Sequence, residues 1–166
     1  MEMLNFSKAM SDAVEGRLLR LRDEIAQSIN SHGLTASGRT AQSMRVVTEG
    51  NEVALWGRAF FPALETGSSR WTGYTGIRCT FAQFRDIIRD WVTAKGLNFG
   101  QHKEHERTIG AITAKIIREG TRQKRSGSRL DVYTTLVNKA AEDCATIAAD
   151  VVGAQVNNAI SIWGEK

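Results

Sequence analysis

Two short β-prone runs joined by a pair of turn residues constrain the fold more than any other feature of the chain. The runs are Met44–Glu49, rich in β-branched residues, and Val53–Arg58. Gly50 and Asn51 between them both tolerate positive φ, so they favour a tight hairpin turn. Pro62, the only proline in the chain, has no backbone N–H to donate and predicts the end of the ladder. The sequence therefore predicts an antiparallel hairpin.

An acidic turn is predicted directly after the hairpin. Glu65, Thr66 and Gly67 supply an acid, a hydroxyl and a glycine in three consecutive positions. We expect Gly67 to take a positive φ, which a residue with a Cβ adopts only at a cost. Glu65 and Gly67 are predicted to be structural or interface residues rather than catalytic ones. Glu65 is expected to accept backbone amides of its own turn or the basic segment of a neighbouring subunit.

A long amphipathic helix is predicted before the hairpin, from Ser7 to His32, with Gly33 at its end. Its polar surface is expected to include Arg17. Packing on its own sheet is a commoner outcome for such a helix than a coiled coil. Its apolar stripe is drawn by residues three or four apart: Met10, Val14, Leu18, Leu21, Ile25 and Ile29.

Three more helices are predicted after the hairpin: Thr80–Lys95, Arg107–Glu119, and a last one that begins near Asp131. A short β-prone segment, Ile160–Trp163, is predicted at the C-terminal end. The fold class is therefore α+β: an antiparallel, hairpin-centred sheet packed against a long N-terminal and a long C-terminal helix, with an inserted helical and loop region. At 166 residues, residues 1–166 are expected to form a single domain.

Two polar segments, 97–106 and 121–130, are predicted to be mobile connectors or arms. His102 and His105 lie in the first, but zinc requires about four ligands and neither cysteine is near, so a solvated linker is favoured. The second segment is basic, and it suits phosphate contact, docking on an acidic protein surface, or simple solvation. Its cations are Arg122, Lys124, Arg125 and Arg129.

Arg70, Trp71 and Tyr74 lie in a glycine-bearing loop after the acidic turn. Exposed aromatic residues beside an arginine are typical of a contact surface for a partner. A loop whose aromatic rings fold back to cover the sheet explains the same residues equally well. Both interpretations stay open at this point.

The composition excludes several classes of protein. A net charge of +4 permits contact with nucleic acid or acidic protein without demonstrating it. The two cysteines, Cys79 and Cys144, have no metal-ligand spacing and are expected to be reduced thiols. No secretion signal and no membrane span are predicted, so a cytoplasmic location is expected. No catalytic, cofactor or metal motif is recognisable, so we expect no enzyme, no cofactor and no metal.

Two segments resemble the phage tail-completion, or head–tail neck, proteins of the HK97 gp10-like family. Ser37–Met44, a turn of small residues, glycine and arginine that leads into a short helix before the hairpin, is similar to the "TGxLxxSI" segment of that family. Phe60–Gly67 stands where the family has an aromatic residue followed by an "ETG" turn. The chain departs from the family between residues 68 and 129, where family members often have a proline-rich stretch instead.

The resemblance implies a non-catalytic α+β subunit that forms a homo-oligomeric ring, usually six-fold. Such a ring lies in the virion neck, between the portal or adaptor complex and the tail-tube or terminator proteins, and surrounds the DNA path. It would be assembled in the host cytoplasm. The acidic turn and the basic segment are natural halves of a ring interface. The alternative is a basic nucleic-acid-binding module that acts on DNA without catalysis, and a salt-dependent gel shift separates the two.

Overall fold

The fold is given by a computed structural model that describes residues 3–50, 52–58, 61–68 and 80–164, with side chains described for 8–50, 52–58, 61–68, 80–157 and 160. The described residues form seven helices and one antiparallel pair of strands, which is an α+β fold as predicted. In chain order the elements are α1 (Met3–Ser31), α2 (Arg39–Gln42), β1 (Arg45–Glu49), β2 (Glu52–Trp56), α3 (Pro62–Thr66), α4 (Phe81–Ala94), α5 (His102–Glu119), α6 (Arg122–Ser126) and α7 (Thr134–Gly164).

Two compact units can be distinguished along the chain. Unit 1 contains residues 1–31, 41–57 and 132–166, and unit 2 contains residues 32–40 and 58–131. In unit 1, α1 packs against α7 and against both strands of the hairpin. Its buried apolar side chains are Leu21, Ile25, Ile29, Met44, Val132 and Ala140. The long N-terminal helix and its inward stripe are therefore confirmed, and the single domain stays a prediction.

The predicted hairpin is confirmed in position and direction. β1 pairs antiparallel with β2 from Arg45 opposite Trp56 to Glu49 opposite Glu52. That register leaves a two-residue connection, and Gly50 has the expected positive φ of 60°. Asn51 lies outside the described residues. The ladder ends at Trp56, several residues before Pro62, so the proline begins the next helix instead of ending the strand.

Arg17 corrects the prediction for the polar surface of α1. Its side chain is only 4% exposed, and it lies in unit 1 with its guanidinium against carboxylates. Its Nε donates to Asp143 of α7 over 2.7 Å, and its Nη1 donates to Glu24 over 3.5 Å. A helical period cannot distinguish a solvated arginine from one that a partner helix covers, because the contact depends on tertiary packing.

The last helix differs from its prediction at both ends. It begins at Thr134 rather than near Asp131, and Val132 before it is fully buried. The segment Ile160–Trp163, predicted as β-prone, is part of α7. No proline separates it from the alanine-rich part of the helix, and continuing the helix satisfies its backbone hydrogen bonds. The predicted stripe that includes Ala140 and Cys144 is buried or half-buried, as expected.

In unit 2, α4 and α5 pack against each other around one apolar cluster. Its buried members are Phe84, Ile88, Val92 and Ile109, with Phe99, Ile112, Ile116 and Ile117 packed against them. Thr80 caps α4 as predicted: Gln83 N donates to its hydroxyl over 3.2 Å, and Thr80 N donates to the Gln83 side chain over 2.8 Å. The helix ends before Gly96, which has a positive φ of 65°.

The connector predicted at 97–106 is partly a helix, because α5 begins at His102 instead of Arg107. His105 accepts a hydrogen bond from Phe99 N over 3.3 Å and stacks on the Phe99 ring. Glu106, also assigned to the connector, accepts from both Arg85 and Arg89 of α4 at 2.8 Å. The polar residues of this first turn thus lie on the surface of a helix and form ion pairs, and the predicted mobility of 97–106 stays a prediction.

Glu106 is the most perturbed carboxylate of this cluster. Its hydrogen bond with Arg89, helped by the charge of Arg85, lowers the pKa of Glu106 from 4.5 to about 2. Asp86 accepts from Arg89 one turn along α4, which confirms the predicted ion pairing on the outer face of that helix. The Arg85 and Arg89 guanidinium groups therefore connect α4 to α5 through a single carboxylate.

Candidate functional site

The predicted acidic turn is a short helix, α3, and its sequence explains both of its ends. Pro62 occupies the first position, where a missing N–H costs nothing. Thr66 donates its hydroxyl proton to Pro62 O over 3.0 Å, and Gly67 N donates to Ala63 O over 2.9 Å. Gly67 then takes φ 68° and ψ 172°, a conformation that is essentially restricted to glycine. The prediction of a positive φ at Gly67 is confirmed, and the predicted acidic turn takes the form of this short helix.

The basic segment is also ordered into structure, as the helix α6 followed by residues 127–130. Two hydrogen bonds join Ser68 and Thr121: Thr121 N donates to the backbone oxygen of Ser68 over 3.1 Å, and Ser68 N donates to the Thr121 side-chain hydroxyl over 3.1 Å. The Gln123 amide donates to the carbonyl oxygens of Leu64 and Glu65 at the end of α3. The first half of the segment predicted to be too polar to pack is therefore bonded to α3 through neutral side chains and backbone.

Gly67 leaves no room for a side chain where α3 contacts α6. A Cβ placed on Gly67 would lie 2.5 Å from Thr121 Oγ1 and 2.7 Å from the backbone nitrogen of Lys124. Both distances are shorter than real Cβ contacts, and the second involves backbone that cannot rotate away. A side chain at this position would therefore force α6 away from α3.

Glu65 is buried at the centre of this contact, with 1% of its surface exposed. Arg129 Nη2 donates to its Oε2 over 3.2 Å, and Leu130 N donates to its backbone oxygen over 3.0 Å. The acidic and basic segments predicted to meet across a subunit interface thus meet within one chain. Burying a carboxylate is costly unless it is paired, which explains why an arginine from this segment accompanies it.

The other cations of the basic segment divide into two groups. Arg125 Nη1 donates to Gly120 O over 2.7 Å, and its Nε lies 3.8 Å from the Glu119 carboxylate. The Arg125 side chain therefore binds the C-terminal end of α5. Arg122 and Lys124 are exposed, and neither side chain has a hydrogen-bond or ion-pair partner among the described residues. These two are the cations that remain available to a phosphate or to an acidic protein.

Neither Thr121 nor Gln123 was expected to matter, although they make most of the contact with α3. The signal was present in the sequence: both are uncharged residues in an otherwise cationic run, and they lie two positions apart. The prediction was based on the charges of the arginines. An amide and a hydroxyl can form hydrogen bonds with the backbone without the cost of burying a charge.

Several predicted residues lie outside the described part of the chain. Arg70, Trp71 and Tyr74 belong to residues 69–79, as does Cys79, so their predicted roles stay predictions. Cys144 is a half-buried free thiol on α7. Within the described ranges there is no cluster of three or more histidine, cysteine or acidic side chains placed to hold a metal. Nor does any described helix have the length and apolar character needed to cross a membrane.

Comparisons of the chain with protein-family models, with curated proteins and with solved structures find no match.

Proposed function

We propose that this chain is a structural protein of the phage neck, forming a ring that completes the tail and joins it to the portal or adaptor complex of the head. The proposal includes a homo-oligomeric ring, usually six-fold in such proteins, with the DNA path through its centre. It assigns the protein no catalytic step. Portal or adaptor proteins on one side and tail-tube or terminator proteins on the other are its proposed partners.

The observation that carries the proposal is the order of elements from α1 to α3. A long helix, a short helix, a hairpin and a Glu-Thr-Gly segment follow one another in the order that the resemblance implies. The short helix α2 lies within the segment that resembles "TGxLxxSI", and Glu65–Gly67 end α3. A second long helix, α7, closes the chain.

The proposed assembly assigns Glu65 and Gly67 the structural one of the two roles expected of them, not the interface role. Both are used within the subunit, where they hold the basic segment against α3. Arg122 and Lys124 are left on the surface, and they are the residues of this segment that we assign to a partner. The acidic segment therefore shapes the subunit, and the exposed cations of α6 contact its neighbours.

The proposal is tested by deleting the gene from the phage or prophage that encodes the chain. Electron microscopy of the lysate should show DNA-filled heads and finished tails that are not joined, and expression of the intact protein in trans should restore joined particles. A variant with Arg122→Glu and Lys124→Glu should restore fewer, whereas Lys103→Glu on the exposed face of α5 should restore as many as the intact protein. Normal infectious particles from the deletion would refute the neck assignment.

The exposed Arg122 and Lys124 also support the rival function, a module that binds nucleic acid. Two exposed cations can neutralise only about two phosphates, whereas strong non-specific binding to DNA rests on many such contacts. A gel shift with random duplex DNA at physiological salt separates the two functions. Retention of short duplex by the monomer would favour the DNA-binding module, and free duplex would favour the neck protein.

A further inference from the structure

Unit 2 contains a groove of about 580 Å³ whose walls are mainly apolar. Phe84, Ile88 and Trp91 of α4 line it on one side, and Ile112 and Ile116 of α5 line it on the other. Phe84 and Ile88 are buried at its floor, whereas Trp91 is 41% exposed. An exposed tryptophan beside an apolar floor is characteristic of the centre of a protein interface.

The rim of this groove is cationic. Lys115 of α5 lies at one edge, and Arg122 and Arg125 of α6 lie at another. Among the described residues that line the groove none is acidic. A ligand for this site should therefore combine an apolar surface that fills the groove with a net negative charge around it.

The same chain carries an exposed apolar surface on the second half of α7. Val152, Val156 and Ile160 are spaced four residues apart, so they form one ridge along about 12 Å of helix. Their exposed fractions rise along the helix from 46% to 51% and 64%. Apolar side chains repeated on one face of a helix and left in water usually mark a contact surface.

The charge of α7 is opposite to that of the groove. Between Thr134 and Asn157, where its side chains are described, α7 carries the acids Glu142 and Asp150 and the single base Lys139, besides Asp143, which is already paired with Arg17 of the same chain. Small residues accompany the ridge, with Gly153 next to Val152 and nothing within 4 Å of the position that its Cβ would take. A helix with small residues can approach a partner surface closely.

We propose that the groove of one copy binds the α7 ridge of a second copy. Because groove and ridge are different surfaces, the contact is heterologous: each subunit donates one surface and receives the other, which generates a ring or an open chain. This inference names the contact surfaces of the proposed ring and to that extent rests on the proposed function. It can fail by itself, since it concerns the purified protein without heads, tails or DNA.

Two variants test the contact, one on each surface. The groove variant carries Lys115→Glu and Arg122→Glu, and the ridge variant carries Val152→Lys and Val156→Lys. All four positions are exposed, so each variant should fold with an unchanged circular dichroism spectrum and melting temperature. In sedimentation velocity across a concentration series, the unaltered protein should associate, and each variant alone should associate roughly tenfold more weakly or not at all.

Mixing the two variants gives the decisive result. The groove variant still has an intact ridge and the ridge variant still has an intact groove, so one productive contact is possible between them. The mixture should form a 1:1 heterodimer and nothing larger, and raising the salt concentration should weaken it. Matched controls are Lys103→Glu, an exposed lysine of α5 outside the groove, and Val137→Lys, an exposed valine at the other end of α7; both should associate as the unaltered protein does.

Three results would overturn the proposal. One is an unaltered protein that stays monomeric at every concentration, and another is a mixture of the two variants that stays monomeric. The third is association that persists in a correctly folded groove or ridge variant. Loss of association in the variants together with joined particles from the gene deletion would refute the neck function and leave this contact standing.

Discussion

Replacing Gly67 with alanine is expected to separate α6 from α3. Two physical effects act together at this position. The backbone at φ 68° and ψ 172° costs a residue with a Cβ about 1–3 kcal/mol. The new Cβ would also overlap Thr121 Oγ1 at 2.5 Å and the Lys124 nitrogen at 2.7 Å, and overpacking of this kind costs about 1–3 kcal/mol. We therefore expect the free energy of unfolding to fall by about 2–6 kcal/mol.

Gly127→Ala is the matched control for this substitution. Gly127 ends α6 with a φ of 67°, close to that of Gly67, but no atom lies within 4 Å of the position its Cβ would occupy. Alanine there should cost only the strain of the left-handed conformation, about 1 kcal/mol. The difference between the two variants therefore measures the steric contact between α3 and α6 together with the greater strain of the Gly67 backbone, whose ψ is 172° against 4° at Gly127.

Urea denaturation followed by circular dichroism provides the measurement, with the slope of the transition compared among the three proteins. Amide hydrogen exchange of α3 and α6 should also rise in Gly67→Ala and not in Gly127→Ala, because the loss is local to their contact. An equal or smaller loss of stability in Gly67→Ala than in Gly127→Ala would refute the reasoning.

Three further substitutions test the ion pairs. Arg129→Gln removes the guanidinium bonded to the buried Glu65 carboxylate and should cost about 1–2 kcal/mol in urea denaturation, whereas Lys124→Gln should change the stability by less than about 0.5 kcal/mol. The pKa of Glu106 is about 2 in the folded protein, against an ordinary value of 4.5. Its ion pairs therefore stabilise the fold above pH 4.5, and this contribution is lost as the pH falls toward 2. Glu106→Gln should flatten this part of the curve of stability against pH. Arg17→Ala should lower the melting temperature more than Arg17→Met, because methionine keeps the buried stem packed while losing the charge.

The local rules of the sequence located most elements correctly. The period of α1, the turn at Gly50, the threonine cap of α4 and the glycine at the end of α3 all follow from interactions between near neighbours in the chain. Such interactions are present in the sequence itself, because the residues that make them are only a few positions apart. The α+β class followed from these elements.

The errors arose where tertiary partners decide the structure. Arg17 is buried because Asp143, far along the chain, pairs with it. His102–Glu106 is helical surface because Arg85 and Arg89 bind Glu106. The basic segment is folded because α3 offers it backbone carbonyls and a buried carboxylate, none of which local composition reveals. Polarity alone predicted a linker and an arm in these places.

The candidate interface shows the same limit. The sequence singled out Glu65 and the basic segment as halves of an interface, but it did not identify Arg129 as the partner of Glu65 or distinguish a pair within one chain from a pair between two subunits. The groove between α4 and α5 was predicted only as apolar helix faces. Its cationic rim comes from residues of α5 and α6 that are brought together by folding.

In vitro joining tests the neck assignment most directly. Heads and tails are purified separately from a lysate of the phage that lacks this gene, and they are mixed with the purified protein. The account predicts that infectious, joined particles appear only when the protein is added. After unbound protein is removed, the joined particles should still contain the protein at the junction of head and tail. Heads and tails that join equally well without it, or that stay separate in its presence, would contradict the account.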